Sequence, residues 1–527
     1  MNIKFNRRNF IGIAGLGTAG ALLGQQPPRP MPPEHGPAPN AAPPPFELDE
    51  ITVGELQEGL RSGRFTSRKL TEAYLGRIDA IDKHGPAINA VIEVNPDALA
   101  IADAMDRTPA SGPLHGIPVL IKDNIDTGDR MRTSAGSLAL ADSIAARDSA
   151  VAKKLRDAGA VIIGKTNLSE WANFRSTHST SGWSGRGGQT RNPYVLDRNP
   201  CGSSSGTGAG IAASLAAVGV GTETDGSVVC PSSASSLVGI KPTLGLISGA
   251  GIVPISHSQD TAGPMCRTVT DAAILLGALA EKKIDYTQSL DPNGLRGARI
   301  GVARKYFGFN DATDALMKEA IAAVKHLGAT VIDPADMATT GKYDESELDV
   351  LLYEFKADLN KYLSGLGLNV KTRTLADLIK FNEENRDREM PYFGQELFER
   401  AQKKGPLTDA AYKKALAKNH KMSRADGIDA VIKKHKLDAL IAPTGGPVWP
   451  TDLVNGDHFT GGYSTASAVA GYPHITVPAG QAFGLPVGLS FFAGAWTEAA
   501  LIKFAYAFEQ ETKARKKPGF RPAVVLG

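Results

Sequence analysis

Three short segments place a base, nucleophiles or tiny residues where an ordinary core would use apolar or helix-forming ones. The first, Gly116-Ile-Pro-Val-Leu-Ile-Lys122-Asp-Asn, ends an apolar run on a lysine. A buried ammonium is costly, so such a lysine should lose its proton readily and become a neutral amine able to accept one. Taken alone, Lys122 could instead snorkel to the surface or pair with Asp123. The second is Pro200-Cys-Gly-Ser203-Ser204-Ser205-Gly-Thr-Gly-Ala-Gly210. It crowds serines and glycines at a helix start, where backbone N–H groups lack partners and Ser caps well. The third is Gly219-Val-Gly-Thr-Glu-Thr224-Asp225-Gly226-Ser227-Val-Val-Cys-Pro231. A glycine-containing loop after a strand can aim successive N–H groups at one point, an oxyanion hole with Ser227 as the attacking group. Alone it also reads as a polar turn, because Asp-Gly is a common turn pair.

These segments need a scaffold that brings them together over separations of 81 residues (122 to 203) and 24 residues (203 to 227). Thr52-x-x-Glu55 is a capping box opening a short helix. Leu70, Tyr74, Ile78 and Ile81 follow at helical spacing, and His84-Gly85 stops that second helix. Strands are expected at Ile117 to Ile121, Ala160 to Ile163 and Val218 to Gly221, and later at 298–303, 329–333, 437–442, 474–478 and 487–492. Helices are expected from Ser149 to Asp157, Ser205 to Ala217 and about 497–513. Continuous apolar strands alternating with helices indicate an α/β fold, an α/β/α sandwich with its sheet buried on both faces. The stretch 343–436 is charged and helix-rich. It reads either as a solvated helical layer or as an insertion that overhangs the site and sets specificity.

Net charge is +3, and the surplus sits at the start. Lys4, Arg7 and Arg8 are the only charges before Arg29, so residues 27–527 carry 55 basic and 55 acidic side chains (58 − 3 against 55). That balance excludes an electrostatic case for nucleic acid or a stable membrane association. Residues 1–26, with Arg7-Arg8 ahead of a short weakly apolar run, resemble a twin-arginine signal, and 27–46 form a proline-rich linker. A periplasmic or secreted enzyme is therefore expected, with the export machinery as its partner. Gly15, Gly17 and Gly20 complete a dinucleotide fingerprint, but no strand precedes it and proline follows, so it carries no cofactor. Cys201, Cys230 and Cys266 lack the spacing of a zinc site and are too few for a disulfide framework; they are expected to be ordinary buried small residues.

Taken together, the three segments resemble the amidase signature family, over nearly all of the chain after the linker. Within it the chain is most similar to the bacterial peptide amidase type, through Lys165-Thr-Asn-Leu-Ser-Glu-Trp-Ala-Asn173, Gly187-Gly-Gln-Thr-Arg-Asn-Pro193 and Leu352-Tyr-Glu-Phe-Lys-Ala357. Asp225-Gly226-Ser227 stands where the common family loop has Gly-Gly-Ser, and Cys201-Gly-Ser-Ser-Ser-Gly206 replaces Gly-Gly-Ser-Ser-Gly-Gly; both variants agree with that type. The resemblance implies a Ser–cis-Ser–Lys triad: Ser227 as nucleophile, Ser203 as the bridging serine after a cis peptide bond from Gly202, and Lys122 as base. It further implies an α/β/α fold around a mixed, largely parallel central sheet, oxyanion donors from the backbone of Thr224, Asp225, Gly226 and Ser227, no metal or organic cofactor, and a small-molecule or peptide amide as substrate. A single domain over 47–527 would carry all of this. The leading expectation is hydrolysis of C-terminal peptide amides. The same triad would serve an acyl- or arylamide hydrolase or a tRNA-dependent amidotransferase subunit, although the latter is cytoplasmic.

Two readings stand outside that family. Gly202-Ser-Ser204-Ser-Gly206 fits the nucleophile elbow of α/β-hydrolases, with His458 or His474 as the histidine, but Arg198-Asn-Pro-Cys201 is a poor preceding strand. A non-catalytic amidase-like binding protein would be expected to have lost the lysine or a serine, and all three are present.

Overall fold

Residues 44–524 are described by a computed structural model; the signal-like segment 1–26 and the linker up to residue 43 lie outside the described residues. Thirteen strands follow in chain order: β1 Val91–Val94, β2 Pro118–Lys122, β3 Val161–Thr166, β4 Trp183–Ser184, β5 Gly188–Gln189, β6 Val218–Glu223, β7 Val238–Lys241, β8 Thr261–Cys266, β9 Arg299–Val302, β10 Thr330–Ile332, β11 Ala439–Pro443, β12 His474–Ala482 and β13 Leu485–Phe492. Strands β4 and β5 form a small ladder of their own. The other eleven make one mixed sheet in the order β1-β3-β2-β6-β8-β7-β12-β13-β11-β9-β10. Its parallel ladders are β3-β2-β6 on one side and β11-β9-β10 on the other, and the strands between them pair antiparallel.

Every residue of β2, β3 and β6 is buried, which is why these strands read as continuous apolar runs and not as alternating ones. Successive side chains point to opposite faces. Val119 and Ile121 join one core with the helices Ala150–Asp157, Val269–Leu279, Asp311–His326 and Glu498–Thr512. Leu120 joins the other, with the helices Ser67–Arg77, Ala98–Arg107 and Ser205–Ala212. The layered α/β architecture expected from the sequence is thus present.

Local signals act as read. The Thr52 hydroxyl accepts the Glu55 N–H at 3.2 Å while the Glu55 carboxylate accepts the Thr52 N–H at 2.8 Å. The second helix spans Ser67–Arg77, continues as a π-helical turn over Ile78–Lys83, and ends before Gly85 at φ +53°. The helix expected over Ser205 to Ala217 is shorter, Ser205–Ala212. Ser214 turns into the left-handed region at φ +56°, so that the chain can re-enter the sheet at Val218.

Between residues 343 and 436 the chain forms helices and no strand, the longest being Asp344–Ser364. These helices have a core of their own, in which Leu352, Phe355, Leu359 and Phe398 pack against Trp171, Phe174 and Ile255. A buried ion network fastens this layer to the body. The Arg175 guanidinium donates to Glu170 at 2.7 Å and to the Glu389 carbonyl, with the Glu389 carboxylate 3.7 Å away. Near the two described ends, Arg515 grips Glu50 in a two-pronged ion pair at 2.7 Å, 465 residues apart in sequence. Among the described residues no helix is long and apolar enough to cross a membrane.

Candidate active site

Lys122 closes β2, and Ser227 follows the end of β6, the parallel neighbour of β2. Parallel strands deliver the residues at their carboxyl ends to one crevice. Ser203 arrives from the segment just before the helix Ser205–Ala212, which leads back into β6. That helix can approach only because it is built of tiny residues; a Cβ on Gly206 would come within 2.2 Å of the Ala90 carbonyl oxygen.

The Lys122 amine is fully buried, 2.8 Å from Ser203 Oγ and 2.9 Å from Thr222 Oγ1. Burial pulls its pKa down from the ordinary lysine value to about 7, against the opposing pull of Asp260 and Glu223. It neither snorkels nor pairs with Asp123, whose carboxylate takes the Ser134 hydroxyl and faces Arg186 at 3.4 Å. Asn124 donates to Thr222 Oγ1 at 3.0 Å, so Thr222 receives two donors at the amine.

The three serines of the run do different things. Ser203, after a cis peptide bond from Gly202, turns its hydroxyl to Lys122. Ser204 Oγ donates to the Thr222 carbonyl (3.1 Å) and accepts the Thr222 N–H (3.2 Å), a local graft onto β6. Ser205 Oγ donates to the Cys201 carbonyl at 2.7 Å. The Ser204 N–H then donates to the Ser227 carbonyl at 3.1 Å, joining the two serine segments through the backbone.

Ser227 is 8% exposed, whereas Ser203 and Lys122 are sealed at 0%. It lies with Thr224, Asp225 and Gly226 in the lining of a cleft of about 1010 Å³, whose walls include Tyr306, Phe309, Leu348 and Trp449. Gly226 has φ +81°, which a side chain would resist. Three carboxylates tie the loop down. Glu223 accepts the N–H groups of Val228 and Val229, Asp225 accepts the hydroxyls of Ser464 and Thr465, and Asp260 accepts the Thr224 hydroxyl at 2.6 Å. Burial raises Asp260 to about 6.

The cysteine expectation is corrected here. Cys201 and Cys230 form a disulfide, their Cα atoms 6.0 Å apart, and both border the cleft. Only Cys266 is the buried free residue expected. Sequence reading also passed over Thr222, Asn124 and Asp260, although the first two sit inside the segments singled out for Ser227 and Lys122. The histidines of the nucleophile-elbow alternative are elsewhere. His474 is buried in β12 against Ser490, its pKa pushed well below the usual value by burial, and His458 faces Asp452. Among the described residues one group, His257, Glu354 and Asp358, brings possible metal ligands together. Its carboxylates already accept from Ser258, Tyr412 and the His257 backbone, so it works as a clamp between the 255–260 loop and the helix Asp344–Ser364.

A buried amine of lowered pKa against a hydroxyl, with a second serine lining a cleft and tied to the same segment through the Ser204 N–H, is the equipment of acyl transfer. Comparison with known proteins agrees. The amidase family model matches residues 69–502, and the chain belongs to that family. Peptide amidase from Stenotrophomonas maltophilia shares 49% identity and a TM-score of 0.86, covering 90% of this chain and 100% of that one. A probable amidase of Arabidopsis thaliana is 43% identical over 90% of this chain and 92% of its own. An amidase family protein from Bacillus anthracis aligns with TM-score 0.82 and 36% identity, covering 90% and 93%. The protein is an amide hydrolase.

Proposed function

We propose that this amidase removes the C-terminal amide of peptides, giving the free acid and ammonia, through Ser227, Ser203 and Lys122. The observation that carries the reading is the Lys122 amine, its pKa near 7, set 2.8 Å from Ser203 Oγ under the cleft that Ser227 enters. Neutral Lys122 takes the Ser203 proton as Ser203 takes that of Ser227, and Ser227 Oγ bonds to the amide carbon. Backbone N–H groups of the Thr224–Ser227 loop stabilise the oxyanion, each worth roughly 10²–10³-fold in rate. The relayed proton leaves with ammonia as the C–N bond breaks. Water, deprotonated along the same relay, then releases the acid and restores Ser227.

Peptide amides are favoured by the open, aromatic-walled cleft and by the similarity to a peptide amidase, a type also solved with the competitive inhibitor chymostatin. An acyl- or arylamide hydrolase would use the same groups on another leaving amine. We further propose export through the twin-arginine-like segment. A disulfide is the kind of bond that oxidising compartments maintain, and it supports that assignment.

The test is mass spectrometry of C-terminally amidated peptides and simple aryl amides after incubation with wild type and with Ser227→Ala. Conversion of peptide amides to acids by wild type alone is expected. Turnover of aryl amides only would keep the chemistry and remove the peptide assignment.

A further inference from the structure

We infer that the Cys201–Cys230 disulfide is a positioning element for the reaction, holding Ser227 over Ser203, and that a dithiol reductant entering by the cleft converts the enzyme to a slower form. The inference rests on the triad reading above. Cys201 stands two residues before Ser203, and Cys230 three after Ser227, in the first turn of the helix Val229–Ala234. The bond therefore closes a 29-residue span holding both serines, the helix Ser205–Ala212 and β6. It ties together the outer ends of the two segments whose relative placement sets the distance between the serines.

The backbone at the Cys201 end gives the bond something to hold. Cys201 sits at φ +56°, a region that side chains resist, kept there by the Asn199 side chain accepting its N–H at 2.8 Å and by Ser205 at its carbonyl. At the other end, the Cys230 N–H donates to the Gly226 carbonyl at 2.8 Å, so movement of Cys230 is felt in the Ser227 loop. Besides the sulfur bridge, Ser204 joins the segments, its N–H donating to the Ser227 carbonyl and its hydroxyl bonded to the Thr222 backbone, but these bonds hold the inner ends and not the Cys230 end. Both cysteines border the cleft, and Cys230 is only half-buried, so a small thiol reaches the bond by the route the substrate takes.

In the step proposed, a dithiol supplies two electrons and two protons. The S–S bond breaks to two thiols, and the dithiol leaves as its own disulfide. Misplacement of reacting groups by about 1 Å can cost about 10²-fold, so loss of the bridge is expected to lower kcat at least tenfold while KM moves less than about twofold.

The experiment compares oxidised enzyme, dithiothreitol-reduced enzyme and the double variant Cys201→Ala/Cys230→Ala. The readouts are kcat and KM on a peptide amide, the rate of Ser227 labelling by a fluorophosphonate, and circular dichroism. Slower labelling and kcat in reduced enzyme that stays folded, restored by oxidised glutathione, is the expected result. Equal rates in folded oxidised and reduced enzyme would overturn the inference, and so would rate loss that only tracks unfolding. Absence of Ser227 labelling in the oxidised enzyme would instead remove the triad reading itself. In Ser227→Ala, saturating peptide amide is expected to slow reduction of the bond. Reduction at an unchanged rate would overturn access through the cleft.

Discussion

Lys122 sits where burial and nearby charge pull in opposite directions. Burial discharges the amine, while the Asp260 and Glu223 carboxylates favour its protonated form, and Thr222 Oγ1, 2.9 Å away, is a further acceptor for the ammonium. In the proposed mechanism the base is the neutral amine, so kcat/KM is expected to rise with pH through about 7 and level off above it, as the pH–rate profile of the free enzyme would show. Thr222→Val removes one acceptor of the ammonium and keeps the shape. The charged form is then less favoured, the pKa falls further, and the rising limb moves to lower pH as the plateau drops. A profile unmoved by Thr222→Val would take Thr222 out of the base's environment.

At the scale of the element, the first two turns of the helix Asp344–Ser364 border the cleft that Ser227 also lines, and we propose that this helix sets specificity. Leu348→Trp, on that helix, is expected to raise KM severalfold for bulky peptide amides while leaving kcat for the smallest amide within about twofold, since the helix lines the cleft and supplies none of the groups proposed for the reaction. This scale also shows what could be read from sequence. The Thr52–Glu55 cap was legible because its partners are three residues apart, and β2 and β6 because their burial on both faces demands unbroken apolar runs. Strands β7 and β8 escaped notice. Val238-Gly-Ile-Lys241 and Thr261-Ala-Gly-Pro-Met-Cys266 are short or rich in small residues, and neighbouring strands specify them: a Cβ on Gly263 would meet the Ile240 carbonyl oxygen at 2.0 Å. The disulfide was illegible for a similar reason, because only the converged loops bring its two cysteines together. The segments that carry Lys122, Ser203 and Ser227, by contrast, stand out in the sequence because each puts reactive or tiny residues where packing alone would not.

For the whole molecule, one buried cation holds two bodies together. Arg175 lies between Glu170 of the main body and Glu389 of the helical layer, all without exposure, and rests on the Phe393 ring. Arg175→Leu would leave two carboxylates facing each other in the interior, at an expected cost of about 3–5 kcal/mol in unfolding free energy. Glu170 already has its pKa raised well above the usual value, mostly by burial, with Glu389 adding to the rise. Arg175 is the charge that opposes this rise, so its loss pushes Glu170 higher still, and the variant's deficit should be larger at alkaline than at acid pH. Urea unfolding at an acid and an alkaline pH measures it; a deficit independent of pH would contradict the arrangement.

The grip of Arg515 on Glu50 has a consequence for how the chain is ordered. With its two described ends clasped, the fold is closer to a ring than to a line, and where the ring is cut is a matter of genetic bookkeeping more than of architecture. A permuted gene that joins residue 524 to residue 44 through a short glycine-serine link and opens at Leu368, 98% exposed on a turn, should give a folded enzyme with its turnover intact. If the permutant fails to fold, the order in which this chain emerges matters to its assembly, and the clasp would be a last latch and not a free hinge of the design.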